Sequence, residues 1–174
     1  MSVDGFPDTH GSERGLTFRG VINAVVDSTH EIGNVAELMA RRATPSDEPS
    51  SDATASHEWW PDSEPDRLDA AAIRLLKITG KFAETCNRRP ELGARNLTMG
   101  AFVTNAGRLG LQAIALAAMA ECVSGPSDTE HTLRAVRQSA DDLVNQTALI
   151  RWNAAQLRER QCGIPWVGVG GLNA

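Results

Sequence analysis

Cysteine is scarce in this chain and scattered. Cys86, Cys122 and Cys162 lie 36 and 40 residues apart, and no CxxC pair is present. The odd count excludes a complete disulfide framework, and the spacing excludes an ordinary zinc site. Both fit a reducing compartment, so the expected location is cytoplasmic. Long apolar runs are also missing. The longest weakly polar stretch, Leu109 to Val123, has 15 residues and contains Gln112 and Glu121. A membrane-spanning helix needs about 20 apolar residues, so this stretch is expected to be a buried helix, with no membrane insertion. The opening residues, MSVDGFPDTHGSERG, lack the basic-then-apolar order of a secretory signal.

Positive charge is thin. The chain carries a net −5. Residues 45–66 hold seven acids (Asp47, Glu48, Asp52, Glu58, Asp62, Glu64, Asp66) and no Lys or Arg, and residues 67–174 sum to +4. A nucleic-acid binder presents a strong basic face, and four charges spread over 108 residues do not make one. No nucleic-acid partner is expected.

Recognisable catalytic machinery is absent too. No serine sits in a nucleophile elbow, and no Ser-His-Asp or Cys-His set can be assembled. The cysteines are expected to be buried as small hydrophobes, Cys86 on an apolar seam and Cys122 beside one. The tail GIPWVGVGGLNA has the glycines of a phosphate loop, but such a loop must lead into a helix N-terminus. Ile164, Trp166 and Val167 are expected to pack on the end of the fold instead. No catalytic residue and no cofactor is assigned.

Helical periodicity is abundant. Apolar or small residues recur in alternating steps of three and four along four segments. The first is Phe18, Ile22, Val25, Thr29, Ile32, Ala36, Met39. The second is Leu68, Ala72, Leu75, Thr79, Phe82, Cys86. The third is Phe102, Ala106, Leu109, Ala113, Leu116, Ala120, Val123. The fourth is Leu133, Val136, Ala140, Leu143, Thr147, Ile150, Ala154, Leu157. Such spacing returns a residue to one helix face every seven positions, so each segment buries one stripe. Period-two strand patterns are missing. Gly125-Pro126 stops the third segment, and Ser127 with Glu130 forms a capping box for the fourth. The predicted fold is an all-α antiparallel four-helix bundle.

The organisation follows. Residues 1–15 form a flexible N-terminus and 16–42 the first helix. Residues 43–65 are an acidic Ser/Pro-rich linker, too polar to order itself. Residues 66–162 supply three more helices, and 163–174 a Gly-rich tail. The third helix is dense in small residues, which suits a central helix in the bundle or one that also packs on a second subunit. Trp59-Trp60 interrupts the linker. The pair either docks a partner or folds back to cap the bundle.

Two D-x-x-H pairs, Asp27/His30 and Asp128/His131, prompt a comparison with di-iron bundles, with Glu84 and Glu121 as further carboxylates. Their helical levels do not match in an up-down bundle, so no metal site is assigned. The run His131-Thr132-Leu133-Arg134-Ala135-Val136 resembles the motif of histidine phosphotransfer domains. In that family an exposed helical His carries the phosphoryl group, and a basic residue three positions on helps hold it. The resemblance implies those roles for His131 and Arg134. Ala135 stands where the family has Gly.

The fourth helix offers one more likeness. Asn145-Gln146-Thr147, Leu149-Ile150, Asn153-Ala154-Ala155 and Arg160 together resemble the membrane-distal tip of bacterial chemoreceptors. Ala148 and Leu157 depart from that pattern. The family's tip docks a histidine kinase and a coupling adaptor on a four-helix bundle. The resemblance implies protein binding through Gln146, Asn153 and Arg160; Trp59 and Trp60 are partner-binding candidates from the linker by itself. The expected function is therefore non-catalytic: a bundle that regulates or scaffolds a signalling complex by binding another protein, with homodimer formation as one route. A phosphotransfer module using His131 is the alternative, and a ligand- or metal-binding bundle or small enzyme a further one.

Overall fold

The computed structural model describes residues 17–44, 60–61, 63–90, 97–123 and 129–161. Four helices account for nearly all of them: α1 (Phe18–Arg42), α2 (Glu64–Arg88), α3 (Leu97–Glu121) and α4 (Thr129–Gln161). They run up, down, up, down. Each packs on its two sequence neighbours, α4 closes the ring against α1, and α1 touches α3 only lightly across the diagonal. This is the predicted all-α four-helix bundle. Among the described residues no helix is long and apolar enough to cross a membrane.

The predicted seams form the core. All seven seam residues of α1 are buried, as are those of the third segment through Val123. On α2 only Cys86, and on α4 only Leu133, is half-exposed. Alternating three- and four-residue steps point one stripe inward on each helix, and four stripes meet in one interior. Local signals set the ends of α1. The Thr17 hydroxyl accepts from the Gly20 N–H at 3.0 Å, an N-cap. At the other end the Ala43 N–H closes on the Met39 carbonyl, and Arg41 and Arg42 complement the negative end of the helix dipole.

α2 begins at Glu64, inside the segment predicted to be linker. Ser63 takes the left-handed conformation (φ 51°), and Pro65 fits the first turn, where no N–H partner is needed. Glu64 itself is 0% exposed, the one charged side chain buried among the described residues. The Arg42 guanidinium, at the end of α1, lies against its carboxylate. Neither carboxylate oxygen accepts a well-aligned hydrogen bond, so the contact is charge on charge. Desolvating a carboxylate costs several kcal/mol, and Arg42 with the positive end of the α2 dipole offsets it. The pair ties the exit of α1 to the entry of α2.

Helix spacing is tight in two places. A Cβ on Gly33 would stand 2.9 Å from Thr147 Oγ1, and one on Gly110 would stand 3.0 Å from Leu76 Cγ. These glycines let α1 approach α4, and α3 approach α2.

Two expectations need correction. α3 is not a central helix: in a four-cornered bundle every helix keeps an outer side, and Ala101, Leu111, Ala115 and Ala118 are exposed on that of α3. Cys122 is exposed, one residue past the end of α3 at Glu121. Cys86 is half-buried, and that burial raises its thiol pKa. The capping box at Ser127, the turn at Gly125-Pro126, residues 1–15, the linker from 45 to 59 and the tail lie outside the described residues.

Candidate functional site

Antiparallel packing puts the first half of α3 beside the second half of α4. That seam is the loosest of the four between neighbouring helices. Two open clefts lie along it. The larger, about 270 Å³, is lined by Thr98, Ala101, Phe102 and Asn105 of α3 and by Trp152, Asn153, Gln156, Leu157 and Arg160 of α4. The smaller, about 170 Å³, lies nearer the other end, between Gln112, Ala115 and Met119 of α3 and Ser139, Asp142 and Gln146 of α4.

The cause is local chemistry. Seam residues Leu109, Leu116, Leu143 and Ile150 stay inside. Amides flank them: Asn105 and Gln112 on α3, Gln146, Asn153 and Gln156 on α4. An amide prefers a wet border to a dry contact, so the helices stand apart there. Of the residues predicted to bind a partner, Asn153 and Arg160 thus share one cleft, and Gln146 lies in the next along the same groove. Gln146 and Asn153 are half-buried and Arg160 is exposed.

Trp60 lies elsewhere. It packs against the core, and its indole N–H donates to the Ala120 carbonyl at 3.0 Å. Ala120 is in the last turn of α3, where carbonyls lack intrahelical donors, and Trp60 joins the Val123 N–H in satisfying it. Trp60 therefore sits where a cap would sit. Trp59 lies outside the described residues.

His131 is exposed in the first turn of α4. Arg134 points back along the helix and donates to Glu130 Oε1 at 2.8 Å. The cation needed to steady a phosphoryl group on His131 is thus engaged by a neighbouring carboxylate. His30 is exposed on α1, with Nδ1 3.0 Å from the Asn34 amide. Asp128 is outside the described residues, and among those described no three metal-ligating side chains gather.

Sequence reasoning passed over the strongest surface feature. Trp152 is 61% exposed, Leu149 58%, Leu111 61% and Leu97 76%. The first two lie on the outer side of α4, the other two on that of α3. The signal was present in the periodicity. Trp152 and Leu149 fall on either side of seam residue Ile150, off the inward stripe, so neither has a place in the core. Scattered single hydrophobes are ordinary on a surface, but four of the five large exposed ones among the described residues stand on one pair of neighbouring helices. No family model matches this chain, and neither a curated protein nor a solved structure matches it.

Proposed function

We propose that this chain is a non-catalytic helical bundle that works by binding another protein through the outer face of α3 and α4. Its role on this reading is regulatory or scaffolding, within a signalling complex. The observation that carries it is the patch of Leu97, Leu111, Leu149 and Trp152 on a bundle whose core is already filled. Half-exposed Trp and Leu cost free energy in water and contribute nothing to a core they do not enter. Trp is also the residue type most enriched at binding hot spots. The amide-lined clefts beside the patch suit the polar rim of an interface, with Gln146, Asn153 and Arg160 as its hydrogen-bonding groups. The chemoreceptor-like run on α4 supports protein binding as the class of activity, without pointing to chemotaxis itself.

The test is affinity capture with the full chain against a Leu149→Ala/Trp152→Ala variant. The wild type should retain a partner in stoichiometric amount. The variant should lose it, while its denaturation midpoint stays where it was, since neither side chain is in the core. Equal capture by both proteins would refute this choice of face.

A further inference from the structure

α3 carries a second heptad seam, opposite the buried one. Leu97, Ala101, Thr104, Arg108, Leu111, Ala115 and Ala118 follow one another in steps of four and three, and all seven are exposed. The outer sides of the other helices are studded with charge: Arg19, Asp27 and Glu37 on α1, Arg67, Lys77 and Lys81 on α2, Arg137, Arg151 and Glu159 on α4. From Leu97 to Ala120, α3 has one charged residue, Arg108. A helix whose outer side carries so little charge and exposes Leu97 and Leu111 is suited to being covered there. Inside one chain, only the inner side of α3 is covered.

We infer that this seam is covered by a second copy of the chain, with the two α3 helices packed antiparallel about a two-fold axis. This rests on reading the α3–α4 face as an interaction surface, and it names the occupant. Three features select a copy of the chain. First, the seam complements itself. With the axis between Arg108 and Leu111, Ala101 meets the partner subunit's Ala118, Thr104 meets the partner subunit's Ala115, and Arg108 meets the partner subunit's Leu111. Small residues oppose small ones on either side of the centre, which lets the helices close there, the two long side chains share the centre, and Leu97 lies beyond the paired stretch. Second, this stagger keeps the two Arg108 charges apart, and each guanidinium reaches water over an apolar neighbour. Third, the area is sufficient. Leu97, Leu111, Leu149 and Trp152 alone expose on the order of 400 Å² of apolar surface. The remaining seam residues and the α4 rim bring the face toward the ~800 Å² per partner of a standard interface.

The stagger makes a charge test specific. Leu111→Lys places two cations opposite the two Arg108 groups, whereas Leu111→Glu places two anions there. Sedimentation equilibrium over a wide protein concentration range should find the wild type dimeric and the Leu111→Lys dimer weakened at least about tenfold. Leu111→Glu should still dimerise, and Arg108→Glu in the Leu111→Lys background should restore the dimer. Position 111 is exposed, and circular dichroism melts are to check that each variant is folded. A wild-type monomer at every concentration would overturn the proposal, as would a dimer indifferent to Leu111→Lys or one broken equally by Leu111→Glu. A wild-type monomer that still captures a partner through Leu149 and Trp152 would remove the second copy and leave the interaction reading standing. If capture were insensitive to those residues as well, both would fall.

Discussion

Gly33 shows how one hydrogen atom sets the distance between two helices. Glycine in a helix interior costs about 1 kcal/mol relative to Ala, so Gly33→Ala would stabilise α1 taken alone. In the bundle the new methyl would press on Thr147 Oγ1, which is buried and donates to the Val144 carbonyl at 2.7 Å. Overpacking of this kind costs about 1–3 kcal/mol, so the net expectation is a loss of roughly 1 kcal/mol. Thr147→Ala removes that hydroxyl and leaves the backbone-side Cβ at 3.5 Å, an ordinary contact. The double variant should therefore be more stable than the sum of the two single losses, by about 1 kcal/mol in urea denaturation. Strict additivity would mean that α1 and α4 shift apart freely. Gly33 was unremarkable in the sequence, because the atom that makes it necessary is 114 positions away. Glu64 was hidden for a similar reason. It stood as one acid among seven in a polar segment, and only its position against Arg42 takes it out of water.

At the scale of elements, Trp60 is the link between the linker and the bundle. The ring packs beside the core and its N–H satisfies a terminal carbonyl of α3. Trp60→Phe keeps the packing and forfeits the hydrogen bond, an expected loss of about 1 kcal/mol. Trp60→Ala forfeits both and should cost roughly 2–3 kcal/mol, less than a fully buried Trp because the ring is only half-enclosed. Chemical denaturation of the two variants orders them. A silent Trp60→Ala would show that the ring contributes nothing to the bundle. The helices themselves were readable, because steps of three and four map directly onto one face of a 3.6-residue helix. The start of α2 was less so. Ser63, Glu64 and Pro65 look like linker by composition, yet the helix starts at Glu64 because Pro65 suits a first turn and Arg42 holds Glu64.

At the scale of the whole molecule, the core draws on four helices, and the Arg42–Glu64 pair holds the exit of α1 against the entry of α2. The segment from 45 to 59 is acidic and rich in Ser and Pro, a composition suited to a linker and not to a core. Its replacement by about six Gly/Ser residues should leave helix content unchanged and the thermal midpoint within a few degrees, since loop length enters closure entropy only logarithmically. Circular dichroism of the shortened chain checks this, and a collapse in helix content would give the segment a structural role. The candidate site was legible in part. Asn153, Arg160 and Gln146 were singled out on α4, and they border one groove. The other wall of that groove, from Thr98 to Met119, and the exposed Trp152 beside it needed the arrangement of the helices to be seen.

By itself the sequence determined the class of fold, the four helices and which stripe of each turns inward, because hydrophobic periodicity is a local property that survives any packing of the helices. Tertiary structure alone decided which helices became neighbours. That choice put Gly33 against Thr147, buried Glu64 beside Arg42, fastened Trp60 to the end of α3, and left the outer seam of α3 and the ring of Trp152 in water. Each of these depends on atoms far apart in the chain meeting at contact distance, and no stretch of sequence carries that information alone.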